Sequence, residues 1–358
     1  MNKLNKKALL LTTCVLGAAA FFSTSAQAQQ YAQQMPSAMS SANQSGASSY
    51  SSASSFFAPI GDRIVSDPMF LPLKGQIYGV SAYTGTIGNS SAYNHLGVKT
   101  SNSSSYSNTF SQTLAYGISD DVTIRLAQSY EFGNTDSESL KTGATTPYNN
   151  AGLTDPTLSV TYRFIDQRQN YPVSADLYAA YSPNMLTSRN ASATRTGTED
   201  SGRQTATFQA DVGREMNNFT VEGLVGGTFN GRRNFVTLSN DQNDTLGSFW
   251  SYFAAINTQT RITDRLSFNG NVRYTVQDKA AGANQSTGLT WIQSNPDNVD
   301  FTVDLNYQFI PNRLVGQLSY DNVMYTHTSY NYSVAADSSQ VRNQDNNIIG
   351  ARLMYLFN

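Results

Sequence analysis

His95 and His327 are the two imidazoles of the 358-residue chain, and imidazole is the side chain best suited to moving protons near neutral pH. Both fall in predicted surface loops. Ser and Asp are so common that a Ser-His-Asp arrangement can be drawn almost anywhere, which strips that match of weight. Asp241 with Asp244, and Asp297 with Asp300, offer oxygen ligands of the kind calcium prefers, yet their spacing fits no defined binding loop. The single cysteine, Cys14, lies in an apolar N-terminal run, preceded by Thr13 where a lipidation site takes a small residue. The rest of the chain has no thiol, so disulfides and Cys-based metal sites are excluded there. No phosphate-binding Gly loop and no zinc motif is present. These residues point to a protein that is not an enzyme, with no catalytic residue, metal or cofactor to assign.

The charges inside alternating segments say more. By period-two alternation Arg125, Glu131, Arg163, Arg203, Asp211, Glu222, Arg261, Arg273, Asp300, Asp304 and Arg352 share the polar faces of their strands. If those strands close on themselves, these eleven become candidates to line a lumen. With both signs present, they either border a narrow aqueous path or pair into a network that shuts it. Closure also brings the loops of His95 and His327 together, which leaves room for a hydrolase using a loop histidine.

The elements that must position these residues are strands. In Val299 to Phe309, apolar Val299, Phe301, Val303, Leu305, Tyr307 and Phe309 oppose polar Asp300, Thr302, Asp304, Asn306 and Gln308. Leu266 to Val276 repeats the pattern. Counting similar segments gives about 12 strands, an even number as single-chain bacterial barrels require. Short turns at Ser119-Asp120-Asp121, Asp166 to Pro172, Met216-Asn217-Asn218, Thr263-Asp264 and Pro311-Asn312 alternate with long polar stretches near 87–103, 133–154, 184–202, 231–247, 277–297 and 326–345. Tyr162, Phe164, Tyr307, Phe309, Tyr355 and Phe357 fall at one end of the apolar face; Tyr130, Phe132, Tyr181, Phe229, Tyr274 and Trp250 fall near the other. Two aromatic belts at two interfaces follow. The expected fold is an all-β, transmembrane, antiparallel up-and-down barrel, with both termini periplasmic and the long loops extracellular. Tyr355 and Phe357 are the candidate assembly signal in the last strand.

Residues 1–28 carry the three parts of a secretory signal peptide: Lys3, Lys6 and Lys7, an apolar run from Ala8 to Phe22, and the cleavage site Ala26-Gln27-Ala28. Without those three lysines the 23 Lys+Arg fall to 20 against 25 Asp+Glu, a formal charge of −5, which offers nothing to a nucleic acid. Residues 29–72 are expected to be a disordered periplasmic segment, Gln/Ser/Ala-rich at first, whose role is either a periplasmic arm or a plug that enters the lumen. From Val65 to Lys74, Pro68 and Pro72 give an extended lead-in. The barrel is expected over 73–358, in the outer membrane, with its lipids, the barrel-assembly machinery and small solutes as partners.

Tyr116-Gly117-Ile118-Ser119-Asp120-Asp121-Val122, followed by Gly152 through Asp155-Pro156-Thr157 to Phe164, resembles the outer-membrane transporters associated with the meta-pathway of phenol degradation. The resemblance implies passive uptake of small, partly apolar compounds and carries over no ligand-binding residues. A non-conducting structural or surface-adhesion barrel is the alternative, its long polar loops being the working part.

Overall fold

A computed structural model describes residues 65–198, 201–216, 218–237, 242–285, 287–334 and 338–357. The signal peptide expected over 1–28 and the segment from 29 to 64 lie outside the described residues. One antiparallel wall runs in chain order and closes. It begins with β1 (Ile77–Asn94), β2 (Lys99–Gly117), β3 (Val122–Ser139), β4 (Thr145–Leu153), β5 (Thr157–Ile165), β6 (Ser174–Ser182) and β7 (Ser188–Asn190). It continues with β8 (Thr205–Met216), β9 (Phe219–Asn230), β10 (Arg233–Thr237), β11 (Gln242–Leu246), β12 (Phe249–Arg261) and β13 (Leu266–Gln277). It ends with β14 (Ala280–Asn284), β15 (Thr290–Ser294), β16 (Asn298–Ile310), β17 (Leu314–Tyr325), β18 (Thr328–Tyr332) and β19 (Ser339–Phe357). Where a path is interrupted, as between β4 and β5 at Pro156, two consecutive strands continue one stave, so the barrel has twelve staves. Closure is made by β1 and β19, from Ile77↔Phe357 to Asn94↔Ser339 with one irregularity at Asn89/Ser91. It leaves the wall without an open edge.

The two faces are inverted relative to a water-soluble protein. Phe301, Val303, Leu305, Tyr307 and Phe309 of β16 are all exposed, while Asp300, Thr302, Asn306 and Gln308 are buried on the other face. β13 repeats this, with Phe268, Val272 and Tyr274 outside and Ser267, Asn269 and Arg273 inside. An apolar exterior and a polar interior are what a strand needs when lipid lies on one side of it. Rings stack along the outside at both ends: Tyr307 with Phe309 and Tyr355 with Phe357 at the short-turn end, Trp250 with Tyr252 at the long-loop end.

Three short turns share a flanking pattern, Ile118 to Val122, Ile262 to Leu266 and Ile310 to Leu314, and the first two close on the same backbone bond. Ile118 N–H donates to Val122 O and Ile262 N–H to Leu266 O, each at 2.9 Å. At the opposite end the structure corrects the expectation of long polar loops. β3 runs on to Ser139 and pairs with β4, while β10 pairs with β11, β14 with β15 and β18 with β19. Past the apolar band these strands mix polar and apolar residues on both faces, so the period-two hydropathy signal fades although backbone pairing continues.

Candidate functional site

The interior at the short-turn end is crossed by the chain itself. Val65, Ser66, Asp67, Met69, Phe70 and Leu71 are buried inside the barrel, whereas an extended lead-in, itself part of the segment placed outside the barrel, was the expectation for them. The strap is bent at Asp67, whose Oδ1 accepts from Met69 N–H at 2.8 Å while its carbonyl accepts from Phe70 N–H at 3.1 Å. One arc of wall holds it by polar contacts. Thr220 Oγ1 donates to Asp67 Oδ2 at 2.7 Å, Gln259 Nε2 to Ser66 O at 2.9 Å, and Arg163 Nη2 to Met69 O at 2.7 Å. The facing arc holds it by apolar packing: Val65 and Phe70 cluster with Tyr78, Val80, Ala82, Ala115, Val315, Met354 and Leu356 of β1, β2, β17 and β19. Gly117 sits where a side chain would run into the Leu73 and Pro72 carbonyls, so the strap's return to β1 depends on a glycine there.

Above the strap the inner face is polar and closely matched. Arg163 forms a two-pronged pair with Asp176, Nε to Oδ1 and Nη2 to Oδ2, both at 2.8 Å. Arg125 Nη1 donates to Thr161 Oγ1 at 3.1 Å, within the field of Asp176 and Asp211. Glu222 accepts from Asn257 Nδ2 at 2.5 Å, and Asn257 in turn accepts from Asn271. Arg352 Nη1 donates to Gln317 Oε1 at 2.9 Å, and Gln317 Nε2 to Asn306 Oδ1 at 2.8 Å. Arg273 lies over the Phe253 ring at 3.9 Å and is register partner to Asp300.

Of the eleven candidates, Arg125, Glu131, Arg163, Arg203, Asp211, Glu222, Arg273 and Asp300 are buried on this face. Arg261, Asp304 and Arg352 are half-buried. The structure draws Arg125, Arg163 and Asp211 together around Asp176, and leaves Arg203 apart near the long-loop end. Asp176, Arg233, Asp321 and the strap are inner-face features that the candidates omitted. Asp321 at the middle of β17 was within reach of the alternation rule; Arg233 was hidden by its assignment to a loop. His95 and His327 are exposed, and among the described residues no three metal-ligating side chains come together. Asp241 lies outside the described residues. Asp244 accepts from Thr237 Oγ1 and Asn284 Nδ2, and Asp297 from Gln277 N–H, so both serve hairpin structure.

A closed wall of twelve staves with an apolar exterior, a largely polar interior and an internal strap defines a transmembrane β-barrel. The chain belongs to a family of membrane-bound beta barrel domains (DUF5777), whose model matches residues 96–305. None of the curated proteins matches the sequence. Among solved structures, the COG4313 outer membrane channel from Pseudomonas putida F1 is similar in fold, with a TM-score of 0.54 and 16% identity over 80% of this chain and 97% of that one. The transport unit of the autotransporter AIDA-I from Escherichia coli aligns with a TM-score of 0.49 and 10% identity over 79% of this chain and 90% of that one. A TodX monoaromatic hydrocarbon channel mutant aligns with a TM-score of 0.41 and 11% identity over 81% and 91%.

Proposed function

We propose that the protein lets small, partly apolar solutes diffuse passively across the outer membrane, with the short turns in the periplasm and the long hairpins outside. The observation that carries this reading is the apolar patch under the strap. Tyr78, Val80, Ala115, Val315, Met354 and Leu356 form an apolar surface on the inner wall at the short-turn end, and the occupant covering it is Val65 and Phe70. A strap held by side-chain bonds, apolar contact and a single bridge at Met69, rather than by a run of strand pairing, is displaceable at modest cost. Once displaced, the patch offers a partly apolar solute a foothold that water-filled polar walls lack. Charges of both signs along the rest of the lumen argue against strong ion selectivity, since ion filters use rings of one sign. The resemblance to transporters of the phenol meta-pathway, and the fold shared with the Pseudomonas putida channel, agree with this reading.

Liposome swelling tests it. Vesicles containing the full mature protein should admit small aromatic alcohols slowly, and vesicles containing a variant lacking residues 29–72 should admit them faster, with heat-shifted gel mobility confirming that both barrels are folded. If neither passes any solute, transport is wrong, and the barrel is a structural or adhesive one whose outer hairpins are the working part.

A further inference from the structure

At the long-loop end the inner wall changes character. Phe235, Leu246 and Ala280 are buried together, and Phe249 packs against them. Two arginines lie over these rings, Arg233 at 4.6 Å from the Phe235 centroid and Arg203 at 5.1 Å from the Phe249 centroid. The two come from neighbouring staves that meet beside them, where Gly231 N–H donates to Gln204 O at 2.8 Å. Arg233 is fixed by its own contacts, Nη2 donating to Ser188 Oγ at 2.8 Å and to Asn190 Oδ1 at 3.3 Å.

Arg203 is different. It is 7% exposed, and among the described residues its guanidinium has no hydrogen-bond or ion-pair partner. Three other inward arginines are matched, Arg163 by Asp176, Arg125 by Thr161 with Asp176 and Asp211 nearby, Arg273 by Asp300. Asp244, register partner of Phe235, is engaged by Thr237 and Asn284, and its field acts on Arg233. A buried cation without a counter-charge is costly, and the face of a ring offsets only part of that cost. Stacking occupies the face of the guanidinium and leaves its edge N–H donors, the set that grips a carboxylate through two parallel bonds.

We propose that Arg203 and Arg233, set over the Phe235, Leu246 and Phe249 cluster, form a binding site for an amphipathic organic monoanion: a carboxylate carried on a small apolar or aromatic body. The carboxylate supplies the charge that Arg203 lacks, and the body lies against the apolar cluster. Inorganic phosphate satisfies the first requirement alone and a neutral aromatic the second alone. The site rests on the reading of a solute-admitting barrel only in requiring that solutes reach the interior from the long-loop end; binding does not require that they pass through.

Equilibrium dialysis of the folded protein in neutral detergent, with benzoate, benzyl alcohol and phosphate as probes, decides it. Benzoate is expected to bind saturably, at least tenfold more tightly than either of the others. Arg203→Gln should weaken benzoate at least tenfold, Arg203→Lys should restore part of the loss, and Arg265→Gln, in a turn at the other end, should change nothing. If Arg203→Gln does not fold, Phe249→Leu takes its place and should weaken benzoate while leaving phosphate unaffected. Equal binding of benzoate and benzyl alcohol, or undiminished benzoate binding by the folded Arg203→Gln variant, overturns the proposal. The transport reading fails separately: benzoate binding with no swelling by any solute leaves the site standing and removes the channel, and swelling by aromatic alcohols without benzoate preference does the reverse.

Discussion

Arg163 and Asp176 face each other in register across β5 and β6, joined by two parallel N–H···O bonds of 2.8 Å, and the same guanidinium donates a third bond to the Met69 carbonyl of the strap. One ion pair therefore fixes the wall and anchors the segment that crosses the lumen. Removing one member of a buried pair leaves the other charge stranded, at about 3 to 5 kcal/mol. Arg163→Met is expected to destabilise the barrel by that amount in a urea-unfolding assay in lipid vesicles. Arg163→Met with Asp176→Leu should recover most of it, because no charge is left unpaired. A double variant as unstable as the single one would show that the pair is not a local unit.

The strap's polar anchors can be loosened without touching an ion pair. Thr220→Val removes the donor to Asp67, and Gln259→Leu removes the donor to Ser66. A typical net contribution is about 1 kcal/mol per hydrogen bond, rising to roughly 1.5 to 3 where one partner is charged, as at Asp67. The double variant is expected to keep a folded barrel and to raise single-channel conductance above the wild-type level. Conductance equal to wild type would mean that the strap is not the main resistance.

Closure depends on the end of β19. Tyr355, Leu356 and Phe357 pair with Gly79, Tyr78 and Ile77, and the Tyr355 ring lies over Gly79, leaving no room there for a side chain. Truncation before Tyr355 removes the start of the seam on the β1 side and Leu356 from the strap's apolar bed. No heat-shifted, folded species is expected from the truncated chain, and export should end in periplasmic degradation. Labelling of the outer hairpins at wild-type level on intact cells would contradict this.

How far the sequence could be read depended on whether two different solvents met at a strand. Val299 to Phe309 was legible at every residue because lipid and a polar interior impose opposite chemistries on alternate positions. β10, β11, β14 and β15 were not, since polar and apolar residues mixed on both faces erase the period while the ladder persists. Asp176 was obscured by its place just past the Asp166 to Pro172 turn. The strap's burial was invisible for another reason: its partners Arg163, Thr220 and Gln259 lie 94, 153 and 193 residues from the atoms they hold. Two prolines described its local shape, and only the closed barrel describes its destination. Arg203 is buried, but that no described carboxylate faces it is a property of neighbours that a lone sequence does not bring together.

The assignment of faces can be tested at one residue. Val303 is 42% exposed at the middle of β16, between Gly270 of β13 and Tyr320 of β17. It lies six residues from Phe309 of the short-turn belt, which at roughly 3.3 Å per residue and a tilt of about 40° places it about 15 Å above that belt. An apolar band about 25 Å tall puts this position near its centre. Val303→Arg is therefore expected to cost about 2 to 4 kcal/mol in vesicle unfolding, as charged residues do near the midplane. Ser111→Arg, half-buried on the inner face of β2, keeps its charge among polar groups and should cost far less. Equal losses for the two variants would mean that β16 and β2 do not present the faces described.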